Sequence, residues 1–222
     1  MNLALFDLDG TLLAIDSDHA FGEFMLRLGW AEAESFRQAN DAFYAQYQAE
    51  RLDVHAYIAF ATSVWRGREA IELAAASEQF MREVIQPAMH DSARALLRKH
   101  VDAGERVAIV TATNEFITRP IASMFGVHEL IATELQRDAA GRVTGAVQGV
   151  PAYREGKVTR VQQWLEQQGC RWADFERITF YSDSTNDLPL LEIVSEPVAT
   201  NPSPALEAIA RERGWRILRL FA

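Results

Sequence analysis

Two carboxylates stand one residue apart at the end of a short apolar run near the start of the chain. Residues 3–6 predict a buried strand, and Asp7 and Asp9 follow it. The two acids are two positions apart, which is the side-chain repeat of a strand, so both side chains can lie on one face. Gly10 then lets the chain turn away. The alternative interpretation of these residues alone is an acidic turn.

Two candidate phosphate ligands follow later in the chain. Residues 106–110 predict a second buried strand, which ends at the hydroxyl of Thr111. Lys157 begins a stretch over residues 158–168 whose apolar side chains recur at helical spacing. A strand-end threonine is commonly a helix cap and a helix lysine is commonly solvated, so neither residue is diagnostic alone.

A third predicted strand delivers another pair of carboxylates. It covers residues 178–182 and ends at Asp183, and Asp187 follows four positions later. If this segment turns into a helix, both carboxylates approach one magnesium ion.

Taken together, these segments resemble the haloacid dehalogenase superfamily of phosphohydrolases, over all of its motifs and in the same order. Residues 7–11, Asp-Leu-Asp-Gly-Thr, are similar to motif one. Thr111 is similar to the hydroxyl residue of motif two, Lys157 to the lysine of motif three, and Asp183 with Asp187 to the acids of motif four.

Within that superfamily the chain is similar to the phosphoserine-phosphatase-like subgroup. The similarity lies in the helical insert after motif one and in residues 154–157 and 182–187. Ser182 departs from the pattern, since glycine commonly precedes the first acid of motif four, but the spacing of the acids is intact.

The resemblance implies a covalent reaction and a metal cofactor. Asp7 attacks phosphorus to form an aspartyl-phosphate, while Asp9 protonates the leaving alkoxide and then activates water. Mg²⁺ is expected on the Asp7 carboxylate, the backbone carbonyl of Asp9 and Asp183, with Asp187 at its outer rim.

The resemblance also implies which residues bind the phosphate. Thr111 and Lys157 are expected to hold its equatorial oxygens. Asn186 is expected to bind a phosphate oxygen or to orient Lys157, and a helix-capping role is its alternative.

Two other functions fit parts of this pattern. A dehalogenase would use the same aspartate nucleophile but needs no acid for a halide leaving group, so Asp9 favours phosphoryl transfer. A non-catalytic phosphate-binding module would be shorter, would lack the helical insert and would tolerate the loss of Lys157. The intact set of motifs favours a magnesium-dependent phosphohydrolase.

Apolar periodicity divides the chain into a cap and a catalytic core. Residues 16–86 carry helical patterns only and predict a C1-type cap of about four or five helices, inserted after the first strand. Residues 1–15 and 87–222 alternate strands and helices, which predicts an α/β core with a doubly wound, mainly parallel, Rossmann-like sheet. Within this core, residues 135–147 predict a hairpin and residues 216–220 a closing strand.

Composition limits the partners. The net charge of −9 argues against nucleic acid, and we find no run of about 18 apolar residues that could span a membrane. Cys170 is the sole cysteine, which excludes an intrachain disulfide. No signal-peptide pattern opens the chain, so we expect a cytoplasmic enzyme, a monomer or homodimer, that acts on a small phosphomonoester.

The cap sequence indicates the substrate class. Phosphoserine phosphatases are expected to bind the substrate carboxylate with a cap arginine in the helix after a turn that corresponds here to residues 50–53. The helix predicted over residues 54–64 contains no arginine. Asp16 and Asp18 at the cap entrance, with Glu23 a turn later, are instead suited to an ammonium group.

Aromatic residues of the cap could face a planar ring in the substrate; they are Phe43, Tyr44, Tyr57 and Trp65. An amino alcohol phosphate with a ring and no carboxylate describes L-histidinol phosphate, which is the first expectation for the substrate. Phosphoserine is the alternative, because Arg51, Arg66 or Arg68 could still supply the missing clamp.

Overall fold

The computed structural model describes residues 1–221, and a six-stranded parallel sheet lies at its centre. The strands in chain order are β1 (Asn2–Phe6), β2 (Arg106–Asn114), β3 (Glu129–Thr133), β4 (Leu135–Arg137), β5 (Val143–Val147), β6 (Arg177–Ser182), β7 (Glu196–Thr200) and β8 (Arg216–Leu218). Across the sheet the order is β3-β2-β1-β6-β7-β8, and β4 pairs with β5 as a separate antiparallel hairpin.

Helices flank the sheet, and the first four of them lie within residues 16–86, the predicted cap. The helices are α1 (Ser17–Arg27), α2 (Ala33–Gln48), α3 (Val54–Ser63), α4 (Ala70–Phe80), α5 (Gln86–Ala88), α6 (Asp91–Asp102), α7 (Glu115–Met124), α8 (Glu155–Gln167), α9 (Leu188–Leu191) and α10 (Pro204–Arg213). A π-helical segment, Met81–Ile85, joins α4 to α5. None of these helices has the length and apolarity needed to cross a bilayer.

Strand β1 lies in the middle of the sheet, and its side chains alternate between two hydrophobic clusters. Ala4 and Phe6 belong to one cluster, Leu3 and Leu5 to the other, and all of them are fully buried. Because helices cover both faces of a parallel sheet, such a strand reads as a continuous apolar run. The strand therefore fixes the position of Asp7, which follows it.

The cap packs on the core through helix α7. The ring of Phe116 in α7 stacks on Trp65 at 4.4 Å and meets Phe21 of α1 edge-on at 6.0 Å. Within the cap, Phe21 also contacts Phe80 at 5.0 Å. This aromatic cluster holds the cap over the carboxyl edge of the sheet.

The structure confirms the predicted α/β fold, with its mainly parallel sheet and a helical cap after the first strand. One boundary differs. Strand β2 was predicted to end at Thr111 but continues to Asn114, through an irregularity after Val110. Pairing with β3 resumes at Thr133, whose hydroxyl also donates to the carbonyl of Ala112. The division into a core of residues 1–15 and 87–222 and a cap of residues 16–86 stays a prediction.

Candidate active site

The centre of the candidate site is an ion pair between a helix lysine and two carboxylates. Lys157 lies in the first turn of α8 and is 1 % exposed. Its Nζ lies 2.7 Å from Oδ1 of Asp7 and 2.7 Å from Oδ1 of Asp187. Ser182 also binds Asp187, since its Oγ donates a hydrogen bond to Oδ2 of Asp187 at 2.7 Å.

Burial and neighbouring charges act in opposite directions on these groups. Burial raises the pKa of Asp7 to about 6, although Lys157 lowers it. Burial by itself lowers the pKa of Lys157, but Asp187 and Asp7 raise it above its ordinary value. The lysine therefore stays charged, while two carboxylates share its single positive charge.

Asp187 accepts hydrogen bonds from Lys157 and Ser182. It lies in a short turn, Thr185–Asp187, that directs its carboxylate toward the lysine. Its place at the outer rim of a metal site stays a prediction.

Asp7 and Asp183 both lie within hydrogen-bond distance of the Thr11 hydroxyl. Oγ1 of Thr11 is 3.4 Å from Oδ2 of Asp7 and 3.1 Å from Oδ1 of Asp183. Burial raises the pKa of Asp183 well above its ordinary value, and the carboxylates of Asp7 and Asp187 raise it further. A divalent cation between these oxygens would relieve that uncompensated negative charge.

Gly10 makes the approach of Asp183 possible. Its φ is +73°, and a Cβ at this position would lie 2.3 Å from Oδ2 of Asp183. In residues 1–221, no group of three or more His, Cys, Asp or Glu side chains surrounds one metal position. A pair of carboxylates with a backbone carbonyl fits Mg²⁺, which keeps waters and takes substrate oxygens as its other ligands.

Asp9 is held by two donors from different parts of the chain. The backbone N–H of Ser17, at the start of the cap, donates to its Oδ1 at 2.7 Å. The hydroxyl of Thr113 donates to its Oδ2 at 2.9 Å. Burial raises the pKa of Asp9 well above its ordinary value, and the Asp16 carboxylate adds to this. A carboxyl group with a raised pKa suits proton transfer near neutral pH.

Thr113 is a residue that the sequence analysis missed. It stands two positions after Thr111, in the last part of β2, where the pairing with β3 is irregular. The backbone N–H of Thr113 donates to Oγ1 of Thr111 at 3.2 Å. The alternation of Thr111, Ala112 and Thr113 was the available signal, but the strand was predicted to end before it.

Asn186 links the core to the cap. Its Nδ2 donates to the backbone carbonyl of Tyr47 in α2 at 3.1 Å, and its Oδ1 accepts from the hydroxyl of Tyr153 at 3.0 Å. Among the described residues, Asn186 makes no hydrogen bond to Lys157.

A cavity opens between the cap and the carboxyl edge of the sheet. The core contributes Asp7, Asp9, Thr111, Ala112 and Thr113, and the cap contributes Asp16, Asp18, His19, Asn40, Phe43, Tyr44, Tyr47, Leu52, Val54, Tyr57 and Ile58. Within residues 1–221, no arginine or lysine lines this cavity. Its charged lining is therefore acidic.

Asp16 and Asp18 form the acidic part of the cap side. Asp16 caps α1, and its Oδ1 accepts from the N–H of His19 at 2.8 Å. Burial raises the pKa of Asp18 to about 7; Asp16 adds to the shift, and hydrogen bonding to Tyr57 opposes it. These two carboxylates create a strongly negative potential inside the cap.

The other cap residues that the sequence analysis singled out do not line the cavity. Trp65 packs against Phe116, and Glu23 accepts from Arg37. Arg66 donates to the carbonyl of Thr144. Arg68 lies 3.8 Å from the ring centroid of Trp30, and Arg51 is exposed.

Comparison with known proteins agrees with this geometry. Residues 4–192 match the family model of haloacid dehalogenase-like hydrolases. A histidinol-phosphatase of Neisseria meningitidis serogroup C (strain 8013) is 42% identical over 217 residues, which cover 98% of each chain. Phosphoserine phosphatase SerB1 of Mycobacterium tuberculosis (strain ATCC 25618 / H37Rv) is 33% identical over 96% of this chain and 69% of its own length.

Solved structures are similar over the whole chain. A protein of unknown function from Bordetella pertussis Tohama I superposes with a TM-score of 0.93 at 46% identity, covering 99% of both chains. A substrate-bound phosphoserine phosphatase has a TM-score of 0.68 at 15% identity, over 97% of this chain and 91% of its own, which shows a shared fold. With a family model that matches most of its length, this chain belongs to the haloacid dehalogenase-like hydrolases.

Proposed function

We propose that this phosphatase hydrolyses a small phosphomonoester whose leaving group carries an ammonium group and a planar ring but no carboxylate. L-Histidinol phosphate fits this description best. The observation that carries the proposal is the cavity, which presents Asp16 and Asp18 beside Phe43, Tyr44 and Tyr57 and, within residues 1–221, no arginine or lysine. Carboxylates in such a cavity favour an ammonium group and disfavour a second anion.

The proposed reaction uses Asp7 and Asp9 in two steps. An oxygen of Asp7 forms a bond to phosphorus, the bond from phosphorus to the alkyl oxygen breaks, and that oxygen takes a proton from Asp9. Asp9, now ionised, then takes a proton from a water molecule. The oxygen of that water forms a bond to phosphorus, and the bond from phosphorus to the Asp7 oxygen breaks. The products are the alcohol and inorganic phosphate, and both aspartates return to their starting states.

Thr111 and Lys157 are proposed to bind the phosphoryl oxygens. Mg²⁺, held by Asp7, Asp183 and the backbone carbonyl of Asp9, supplies positive charge against the phosphate when it is bound. We propose that Asp187 keeps Lys157 charged and in place, since both of its oxygens face that ammonium group.

The relatives support this choice of substrate without deciding it. The Neisseria relative named histidinol-phosphatase is more similar to the chain than the Mycobacterium relative named phosphoserine phosphatase. Phosphoserine remains the second candidate. Its carboxylate would enter an acidic cavity without a partner, which costs on the order of a few kcal/mol, or roughly two to three decades of specificity.

The test compares kcat/KM for L-histidinol phosphate, O-phosphoserine and an aryl phosphate in the presence of Mg²⁺. We expect the wild type to prefer histidinol phosphate over phosphoserine by about a hundredfold or more. Replacing both Asp16 and Asp18 by Asn should reduce turnover of histidinol phosphate much more than turnover of the aryl phosphate, which has no ammonium group to bind. Asn at position 16 still caps α1, so the helix should remain intact. A preference for phosphoserine, or equal losses on all substrates, would refute the proposed substrate.

A further inference from the structure

The cap residue Tyr47 lies beside the core segment that carries Asp187. Its carbonyl accepts a hydrogen bond from Asn186, the residue before Asp187, and its side chain lines the cavity that also contains Asp7, Asp9 and Thr111. Burial raises the pKa of Tyr47 well above its ordinary value, and among the charges that raise it further the Asp7 carboxylate comes first. The phenol therefore stays protonated at neutral pH, as a hydrogen-bond donor.

Tyr57 lies at the opposite, ammonium end of the cavity. Besides burial, the charges of Asp18 and Asp16 and a hydrogen bond to Asp18 raise its pKa. Tyr44 belongs to neither end alone, because Asp16, Asp183 and Asp9 all raise its pKa. Within residues 1–221, the hydroxyl of Tyr47 makes no hydrogen bond to a protein group. It is thus a donor without a protein acceptor, on the side where a phosphoryl group must bind to reach Asp7.

The backbone of Tyr47 is fixed to the core by Asn186. The amide of Asn186 is 3 % exposed and donates to the Tyr47 carbonyl at 3.1 Å. The hydroxyl of Tyr153 holds the other end of this amide at 3.0 Å. Because Asn186 is adjacent to Asp187, the segment that holds Lys157 also sets the position of Tyr47.

A phosphoryl group entering this cavity needs donors. Four aspartates line the cavity, and the ammonium group of Lys157 is already ion-paired with both Asp7 and Asp187. The hydroxyl of Thr113 is committed to Asp9. An additional neutral donor would bind the phosphoryl oxygens without adding to the desolvation cost of a buried charge.

We propose that the Tyr47 hydroxyl donates a hydrogen bond to a phosphoryl oxygen of the bound substrate, and that Asn186 positions Tyr47 through its backbone carbonyl. This role rests on the proposed transfer of the phosphoryl group to Asp7, and it is independent of the leaving group. In this proposal Asn186 binds the cap through Tyr47 and does not bind the phosphate, whereas the sequence analysis expected it to bind a phosphate oxygen or to orient Lys157.

The first test removes the hydroxyl and keeps the ring. We expect Tyr47→Phe to weaken competitive inhibition by inorganic phosphate by about 10- to 100-fold, the range for one hydrogen bond to a charged group. It should lower kcat/KM by a similar factor for both an aryl phosphate and histidinol phosphate. Tyr57→Phe is the matched comparison, because the Tyr57 hydroxyl hydrogen-bonds to Asp18 at the ammonium end; it should change the phosphate inhibition constant much less than Tyr47→Phe does.

Two results would overturn the assignment. One is an unchanged phosphate inhibition constant in Tyr47→Phe, and the other is a loss of turnover confined to the amine-bearing substrate. Asp7→Asn, measured in parallel, tests the proposed function separately. If Asp7→Asn abolishes turnover while Tyr47→Phe binds phosphate normally, only the role of Tyr47 fails.

A double-mutant cycle tests the part played by Asn186. If Asn186 acts through Tyr47, Asn186→Ala should weaken phosphate inhibition in the wild-type background and change it by less than about twofold in the Tyr47→Phe background. If Asn186 itself bound the phosphate, the two losses would multiply, and the positioning role would be refuted. Thermal melting of each variant verifies that it is folded at the assay temperature.

Discussion

Lys157 Nζ lies 2.7 Å from an oxygen of Asp7 and 2.7 Å from an oxygen of Asp187, so that one buried ammonium group serves two buried carboxylates. Such a cluster carries a net negative charge even before Asp183 is counted. Removing one member of a buried ion pair leaves its partner uncompensated, which costs far more than the pair contributes when intact.

Lys157→Met should therefore destabilise the protein severely. We expect a loss of about 3–5 kcal/mol in the free energy of unfolding, since two carboxylates lose their counter-charge in a buried site. Urea unfolding at neutral pH in a chelator measures it. Lys99→Met is the matched control, because Lys99 is exposed on α6 and its loss should change stability by less than about 0.5 kcal/mol. Similar small losses for both lysines would contradict the described ion pair.

Asp183 and Asp187 should differ in their effect on magnesium. Asp183→Asn removes a proposed ligand and should raise the Mg²⁺ concentration for half-maximal activity by about tenfold or more. Asp187→Asn should lower kcat, because Lys157 loses a partner, and should move the Mg²⁺ requirement much less. Magnesium titrations of both variants measure this difference. An equal shift in the two variants would instead support Asp187 as a ligand at the rim of the metal site.

Gly10 should be intolerant of a methyl group for two separable reasons. Its φ of +73° makes any side chain costly, by about 1 kcal/mol, and the added Cβ would lie 2.3 Å from Asp183. Gly29 has a φ of +70° with open space around its Cβ position, so Gly29→Ala carries the first cost only. We expect similar stability losses from the backbone in both variants but a weakened Mg²⁺ response in Gly10→Ala alone. Normal magnesium activation of Gly10→Ala would contradict the close approach.

Much of this site could be predicted from the sequence because the backbone alone places it. Hydrophobic periodicity reveals the two strand ends and the helix start at which Asp7, Asp183 and Lys157 lie. The resemblance to a known family then singled out these side chains. The partner of Asp187 could not be predicted, since it depends on the turn that precedes α9. A helical pattern also leaves open which apolar face lines a cavity, so Tyr44 and Trp65 looked equivalent although only Tyr44 lies in the cavity.

The stability of the metal-free protein should fall as pH rises. Burial raises the pKa of Asp18 from 3.8 to about 7, so between these values the folded state binds more protons than the unfolded state. The stabilisation is complete below the unfolded pKa and is lost as pH rises through about 7. Asp18→Asn should reduce the slope of stability against pH in this window by up to about 1.4 kcal/mol per unit. Urea midpoints in chelator from pH 4 to 8 measure it; identical slopes would be inconsistent with a buried, protonated Asp18.

The most direct measurement of the proposed chemistry is the detection of a phosphoryl group on Asp7. Asp9→Asn keeps the nucleophile and removes the base that releases the intermediate, so the phosphorylated enzyme should accumulate during turnover. The variant is mixed with Mg²⁺ and an aryl phosphate, whose leaving group departs without a proton from Asp9. The reaction is quenched in acid and digested, and the peptide containing Asp7 is analysed by mass spectrometry. We predict the added mass of one phosphoryl group on Asp7, absent from the Asp7→Asn/Asp9→Asn double variant. Phosphate on another residue, or turnover at the wild-type rate without any phosphorylated peptide, would contradict the assignment of Asp7 as the nucleophile.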